Sequence, residues 1–347
     1  MFRSCLEKLA RREDLTTDEA ASAMTEIMEG RAAPAHIAGL LVGLATKGER
    51  PVELVGLART MRARAVSLSR RYEHVFDTCG TGGDRSGTFN ISSAAAVVIG
   101  SCGVRVAKHG NRSVSSACGS ADVFQALGVA TDADPRTVER CLNEVGMAFL
   151  FAPTFHPSMR HAAPVRRDLG LRTAFNLLGP LTNPALPACQ IVGVPAPELT
   201  ELIARALLLL GSERAWVLHG ADGIDEISTA GHTKISECWK GSVRTFYVHP
   251  SDFGLAKASP GALRGGDAVT NAAIVRAVLG GVPGAHREVV LLNAAAGLFV
   301  AGRVASIREG LFVAAHAIDS GAAARMLESM AVISNSAAGQ GDARVGA

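Results

Sequence analysis

Several things are scarce in this sequence, and each scarcity narrows its class. Aromatic side chains make up only 5% of the 347 residues, against 37 glycines and an abundance of alanine. That balance suits close helix packing and many tight turns. Net charge is low: the formal value of +3 gives no case for bulk nucleic-acid binding, although a local basic site for an anionic substrate remains open. The seven cysteines, Cys5, Cys79, Cys102, Cys118, Cys141, Cys189 and Cys238, are odd in number, and no two stand in a C-x-x-C spacing. This argues against a disulfide framework or a zinc site and for a reducing compartment. No uninterrupted apolar run reaches the length of about 18 residues that a membrane span needs. The start, Met1-Phe2-Arg3-Ser4, runs into a charged helix rather than a signal peptide, so the cytoplasm is the expected location.

At 48% hydrophobic and 19% charged, the chain is long enough for one large domain with a smaller one. Residues 1–70 read as helices only. Thr16 and Glu19 form a capping box that opens a helix ending near Gly30. Pro34 stands in a first helical turn, Ile37, Leu40, Leu41 and Leu44 share one face, and Gly48 ends the run. Pro51 starts a third helix. From His74 the pattern changes. Val75–Thr78 is a strand signal, a glycine cluster and an apolar helix (Ile91 to about Ile99) follow, and Val104–Ala107 is a second strand. This β-α-β unit predicts a mainly parallel central sheet flanked by helices, and so an α/β fold with a small all-α N-terminal domain. A further helix spans about Leu199–Leu210, with a strand at Ala215–His219 and Ala-rich helices to about Ile333. The proline-punctuated stretch 164–187 is expected to return to the N-terminal helices. The large domain then covers 71–335, and 336–347 reads as a disordered tail.

Four segments carry chemistry. The first is Asp77-Thr78-Cys79-Gly80-Thr81-Gly82-Gly83-Asp84, with glycines between a strand and a helix. Freed backbone N–H groups and a helix N-terminus can hold an anion there, with Thr88, Asn90, Ser92 and Ser93 as further donors or metal ligands. The same residues also suit a plain glycine turn with a capped helix. The second is Lys108-His109-Gly110-Asn111-Arg112, with Ser113, Ser115 and Ser116, at the carboxyl end of the second strand, where parallel sheets bind ligands. Its bland counterpart is a solvated basic loop. Ser120, in Gly119-Ser120-Ala121-Asp122, is placed as an N-cap or a phosphate donor. The third is Asp222-Gly223-Ile224-Asp225-Glu226, a turn whose carboxylates either hold Mg²⁺ with substrate phosphates or merely meet solvent. The fourth is the arginine-rich stretch around Arg160, Arg166 and Arg167, where a guanidinium can grip a carboxylate; His156 and His161 stand nearby. Spacing alone does not choose among these arginines.

Taken in order, GTGGD from Gly80, TFNIS from Thr88, KHGNR from Lys108, GSAD from Gly119, FHPSM from Phe155, RTAFNLLGPLTNP from Arg172 and HGADGIDEIS from His219 resemble the anthranilate phosphoribosyltransferase family over residues 5–335. Departures are small: Ser93 stands where the family often has Thr, which keeps the hydroxyl, and Arg85-Ser86 vary within the glycine loop. The resemblance implies transfer of the phosphoribosyl group of 5-phosphoribosyl 1-diphosphate (PRPP) to anthranilate, with Mg²⁺, in tryptophan biosynthesis. It implies a homodimer formed through the small domains, and neither nucleic acid nor membrane as a partner. For PRPP it implies Gly80, Gly83, Asp84, Thr88, Asn90, Ile91, Ser92, Ser93, Lys108, His109, Gly110, Asn111, Arg112, Ser113, Ser115, Ser116 and Ser120. It implies Gly80, Asn111 and Arg166 for anthranilate, with His109 lining the path, and Ser92, Asp225 and Glu226 for the metal. No residue is expected as general acid or base. The competing readings are a pyrimidine nucleoside phosphorylase and a non-catalytic nucleic-acid-binding relative; the intact DGIDE turn and the low charge stand against the second.

Overall fold

The structure, a computed structural model, describes residues 2–84, 86–113, 117–259 and 261–336. Its first four helices are Phe2–Ala10, Thr17–Met28, Pro34–Lys47 and Pro51–Ala63. The Thr16–Glu19 capping box is formed: Thr16 N–H donates to Glu19 Oε2 at 2.8 Å, and Glu19 N–H donates to Thr16 Oγ1 at 3.2 Å. Pro34 and Pro51 occupy first turns, where a missing N–H costs nothing. These helices bury Leu40, Leu41, Leu44, Leu54 and Ala58. The same apolar cluster takes in Val165, Phe175 and Leu178 from the proline-rich stretch, together with Val192 and Ile203. The helix Ala163–Leu169 packs on Pro34–Lys47, and Ala174–Leu178 packs on Pro51–Ala63.

Among the described residues seven strands form one sheet: β1 (Phe76–Gly80), β2 (Val106–Gly110), β3 (Met147–Phe151), β4 (Cys189–Gly193), β5 (Arg214–Gly220), β6 (Thr233–Trp239) and β7 (Ser242–Val248). Their order is β3-β2-β1-β4-β5-β6-β7. The first five strands are parallel; β6 and β7 are antiparallel. The expected mainly parallel sheet is therefore present with an antiparallel margin. That margin rests on a two-residue hairpin loop, Lys240 (φ 48) and Gly241 (φ 77), with both residues left-handed as a tight antiparallel turn demands. The helices Ile91–Ser101 and Ala285–Val300 pack together over one face, whereas Leu199–Leu209 packs on β5 and β6 and meets Pro51–Ala63.

β1 and β2 both start and end later than the sequence signals suggest. β1 extends through Cys79 to Gly80, because Gly80 pairs with Gly193 of β4. β2 includes Lys108 and His109 and pairs them with Phe149 and Leu150 of β3. The C-terminal helix Ala322–Asn335 continues two residues past Ile333, and residues 337–347 lie outside the described part of the chain. The chain leaves β1 toward β2 on one side and later returns to place β4 on the other. The carboxyl ends of β1 and β4 thus flank the point where strand order reverses, the usual ligand crevice of an open α/β sheet.

Candidate active site

The glycine turn emerges from β1 at this crevice. Thr81 N–H donates to Gly193 O at 2.9 Å, which ties the turn to the end of β4. Gly82 (φ 67), Gly83 (φ 86) and Gly87 (φ 68) take the left-handed region, which side-chain-bearing residues rarely adopt. Asp84 accepts from the Ser86 hydroxyl, which also meets Thr88 Oγ1 at 3.0 Å. The turn feeds the helix Ile91–Ser101, whose first turn holds Ile91, Ser92 and Ser93. Asn90 is the N-cap residue, yet its side chain makes no capping bond. Asn90 Nδ2 donates to Cys118 O at 3.3 Å, and its Oδ1 accepts from Asn271 Nδ2 at 3.0 Å. The Ser93 hydroxyl is buried without a hydrogen-bond partner among the described residues.

Lys108 is not on a solvated loop. It lies within β2 at 1% exposure, and its ammonium donates to Thr78 O and reaches Ser92 Oγ at 3.4 Å. The cation thus sits beneath the first turn of the helix. His109, next in the strand, is buried; its Nδ1 lies 3.1 Å from Gly179 O and its Nε2 has no partner among the described residues. The His156 ring is 5.3 Å away, also with Nε2 unpartnered among the described residues. Burial, then the neighbouring His156, pushes His109 down to about 3, and burial takes His156 down to about 4. Both rings are therefore neutral at pH 7. His161 is elsewhere, against Gly30 of the N-terminal helices.

Asn111 and Arg112 follow β2 on the surface. Asn111 O accepts from Ala121 N–H at 3.1 Å and Ser120 Oγ at 3.3 Å; Arg112 pairs with Asp122 at 2.9 Å. Ser120 is not the N-cap expected from sequence. Gly119 takes that position, and Asp122 Oδ2 accepts from Gly119 N–H at 2.9 Å and Ser113 N–H at 3.1 Å, because Asp122 reaches back where Gly119 has no side chain. A Cβ at Gly110 would overlap Ser120 Oγ, so the strand end and this helix start are in close contact. Ser115 and Ser116 lie outside the described residues.

The acidic turn after β5 divides in two. Asp222 is exposed and accepts from Ser228 Oγ at 2.9 Å. Asp225 and Glu226 turn inward: Glu226 is 8% exposed and its Oε1 accepts from Ser92 N–H at 2.9 Å. Burial, then the charge of Asp84, raises the Asp225 carboxyl; burial, then Asp225, raises Glu226, with Lys108 opposing in both cases. A half-buried and a buried carboxylate crowded in this way are short of positive charge. Among the described residues no group of three or more His, Cys, Asp or Glu side chains forms a metal cage. Two carboxylates and a serine hydroxyl nevertheless fit a hard divalent cation that keeps waters and shares substrate oxygens.

The structure separates the arginines. Arg160 and Arg167 are exposed, whereas Arg166 is half-buried over the Phe175 ring at 5.0 Å, and burial lowers its pKa.

Several supporting residues are not apparent from sequence. Gly193 is one: a Cβ there would overlap the Asp225 carbonyl oxygen and lie 2.9 Å from the Asp225 Cβ, so the acidic turn rests directly on the end of β4. Asp77 and Asn183 are two more. Buried Asp77 accepts from His109 N–H at 3.2 Å and Asn183 Nδ2 at 2.8 Å, and Asn183 Nδ2 also reaches Ala107 O at 2.8 Å. Polar residues inside an apolar strand and between prolines were the available signal.

Comparison with known proteins follows the same division of the chain. Residues 3–65 match the glycosyl transferase family, helical bundle domain, and residues 72–324 match the glycosyl transferase family, a/b domain. An anthranilate phosphoribosyltransferase of Moorella thermoacetica is 53% identical over 330 residues, covering 95% of this chain and 97% of that protein. The chain belongs to the anthranilate phosphoribosyltransferase family. A second member, from Symbiobacterium thermophilum, is 52% identical over 95% of this chain and 96% of its own length. Among solved structures, the anthranilate phosphoribosyltransferase of Thermus thermophilus superposes with a TM-score of 0.90 at 43% identity, covering 96% of this chain and 99% of that one. That of Saccharomyces cerevisiae, in complex with PRPP and Mg, gives 0.87 at 26% identity, with 96% and 97% covered. These family relatives do not favour the nucleoside phosphorylase or nucleic-acid readings.

Proposed function

We propose that the chain transfers the phosphoribosyl group of PRPP to the amine of anthranilate, giving N-(5-phosphoribosyl)anthranilate and diphosphate, a step of L-tryptophan biosynthesis. The observation that carries this is the meeting of the Glu226 carboxylate, the Ser92 backbone and the Lys108 ammonium at the end of the glycine turn. One ligand that needs backbone donors, a lysine and a divalent cation at one place is a magnesium diphosphate.

In the reaction the bond between ribose C1 and the diphosphate oxygen breaks, and its electron pair leaves with the diphosphate. C1 gains oxocarbenium character and bonds to the anthranilate nitrogen, whose surplus proton passes to solvent or to the departing anion. Backbone N–H groups of Gly82, Gly83 and Asp84, the N-terminus of the helix Ile91–Ser101 and Lys108 face the charge that develops on the leaving group. Thr88, Asn90, Ser92, Ser93 and Ser120 place the phosphates, with Ile91, Gly110, Asn111, Arg112 and Ser113 around them. Ser92, Asp225 and Glu226 are the residues that would hold Mg²⁺, which when bound neutralises diphosphate oxygens as a Lewis acid. Arg166, already partly stripped of water, grips the anthranilate carboxylate, and Gly80 and Asn111 border the ring. This grip brings the amine to C1 and binds substrate and transition state alike. An aromatic amine is neutral at pH 7, so the neutral His109 and His156 need not act as bases.

We further infer a helical domain of 1–70 with 164–187 beside a catalytic domain of 71–335, a homodimer through the helical domains, and a cytoplasmic location. The packing of Ala163–Leu169 on Pro34–Lys47 supports the first. Exposed Val42 and Val52 on the N-terminal helices offer apolar surface for the second. Seven free cysteines suit a reducing compartment. No described helix is long and apolar enough to cross a membrane. The activity is tested by the loss of anthranilate fluorescence on adding PRPP and Mg²⁺. A decay that needs all three components is expected; unchanged fluorescence would overturn the reading.

A further inference from the structure

The turn between the helices Ala163–Leu169 and Ala174–Leu178 carries a cation that the chemistry above does not use. Gly170 (φ 61) reverses the chain after the helix that bears Arg166, and Arg172 then points back across the crevice. Its Nη1 donates to Gly82 O at 2.7 Å. Its guanidinium lies against Gly83, where a Cβ would overlap it, so glycine at 83 leaves room for this side chain as well as serving the turn. Lys108 is buried beneath the helix start, whereas Arg172 is exposed. The two cations therefore bracket the glycine turn, one from the protein interior and one from the solvent side.

We propose that Arg172 is a second diphosphate-binding cation, which closes over the glycine turn and takes phosphate oxygens of PRPP in its fork of N–H donors. The inference rests on the diphosphate reading given above. It adds that one short segment serves both substrates: Arg166 faces the acceptor carboxylate and Arg172 faces the leaving group, six residues on. A merely structural alternative is that Arg172 only tethers the Gly82 carbonyl.

Two variants separate these roles. Arg172→Gln keeps an N–H donor for the Gly82 carbonyl and loses the charge; Arg172→Lys keeps the charge and loses the fork. PRPP binding is measured by titration calorimetry at saturating Mg²⁺, with KM for both substrates alongside. Arg172→Gln should weaken PRPP binding at least about tenfold, the scale of a charge-assisted bond, with Arg172→Lys intermediate. The KM for anthranilate should move less than about twofold, and added salt should weaken the wild type more than Arg172→Gln. PRPP binding by Arg172→Gln that equals or exceeds the wild type, or an equal loss on both substrates, overturns the proposal. If the wild-type protein itself fails to bind PRPP, the underlying diphosphate reading falls with it. If the wild type binds and Arg172→Gln binds as well, only the role of Arg172 falls.

Discussion

Two buried acidic sites lie one strand apart, and their surroundings are opposite. Glu237 on β6, opposite Trp216 of β5, is fully enclosed and fully answered. Its Oε1 accepts from Arg214 Nε at 2.8 Å and Trp216 Nε1 at 2.9 Å, and its Oε2 accepts from Arg244 Nε at 2.7 Å. Burial pushes its carboxyl up, but the Trp216, Arg214 and Arg244 donors together outweigh burial and hold it below the usual carboxylate range. Beyond the other end of β5, Glu226 accepts a backbone N–H from Ser92, Lys108 lies near both Glu226 and Asp225, and both carboxyls are raised. The first site uses its donors to fix a strand pair. The second is under-supplied with positive charge, the condition expected of a binding site rather than a structural one.

This contrast is broken most severely by Asp225→Asn with Glu226→Gln. At limiting Mg²⁺ the rate should fall by about a thousandfold, the scale of lost charge stabilisation in a transition state. The melting temperature should hold or rise, because like charges that repel have been removed. An unaltered Mg²⁺ titration would remove the metal assignment. Glu237→Gln should do the reverse: denaturant titration should show a loss of about 3 kcal/mol as the arginines lose their partner, with kcat/KM kept. Because the folded-state pKa of Glu237 is lowered, its contribution is present above the unfolded value of about 4.3 and is lost as pH falls through the folded value. The stability gap between wild type and Glu237→Gln should therefore narrow in acid; a pH-independent gap would show that packing, not charge, is responsible. Arg166→Ala should raise the KM for anthranilate by about thirtyfold with kcat nearly kept. A collapsed kcat at unchanged KM would show that Arg166 has another task. Gly193→Ala is the mildest change. By shifting the acidic turn off β4 it should raise the Mg²⁺ needed for half-maximal rate by about tenfold, and an unmoved midpoint would mean that the turn does not rest there in the working enzyme.

The N-terminal helices and the crevice differ in how far a linear reading reaches. The N-terminal helices are legible because their signals are local: the Thr16–Glu19 box, prolines in first turns and Gly48 all act within one or two helical turns. The glycine turn, Lys108 and the acidic turn are legible as motifs, but the burial of Lys108 and Glu226 is not, since it depends on β2 pairing between β1 and β3 and on the acidic turn resting on Gly193. Arg172 lies 90 residues from the carbonyl it bonds, and Asn183 lies 106 from Asp77; no spacing rule reports such contacts. Residue type favours Ser120 as an N-cap, whereas the side chain of Asp122 satisfies the N–H of Gly119 instead. The β6–β7 hairpin is hard to read although Lys240-Gly241 carries a turn signal, because Lys is an unusual residue at positive φ.

The most direct test of the account is the coupling between PRPP and Mg²⁺ binding, measured by calorimetry in the wild type and in the Asp225→Asn, Glu226→Gln variant. If buried acids short of positive charge are what hold the metal, Mg²⁺ should tighten PRPP binding by at least about tenfold in the wild type, and far less in the variant. An equal effect of Mg²⁺ on both proteins would contradict it.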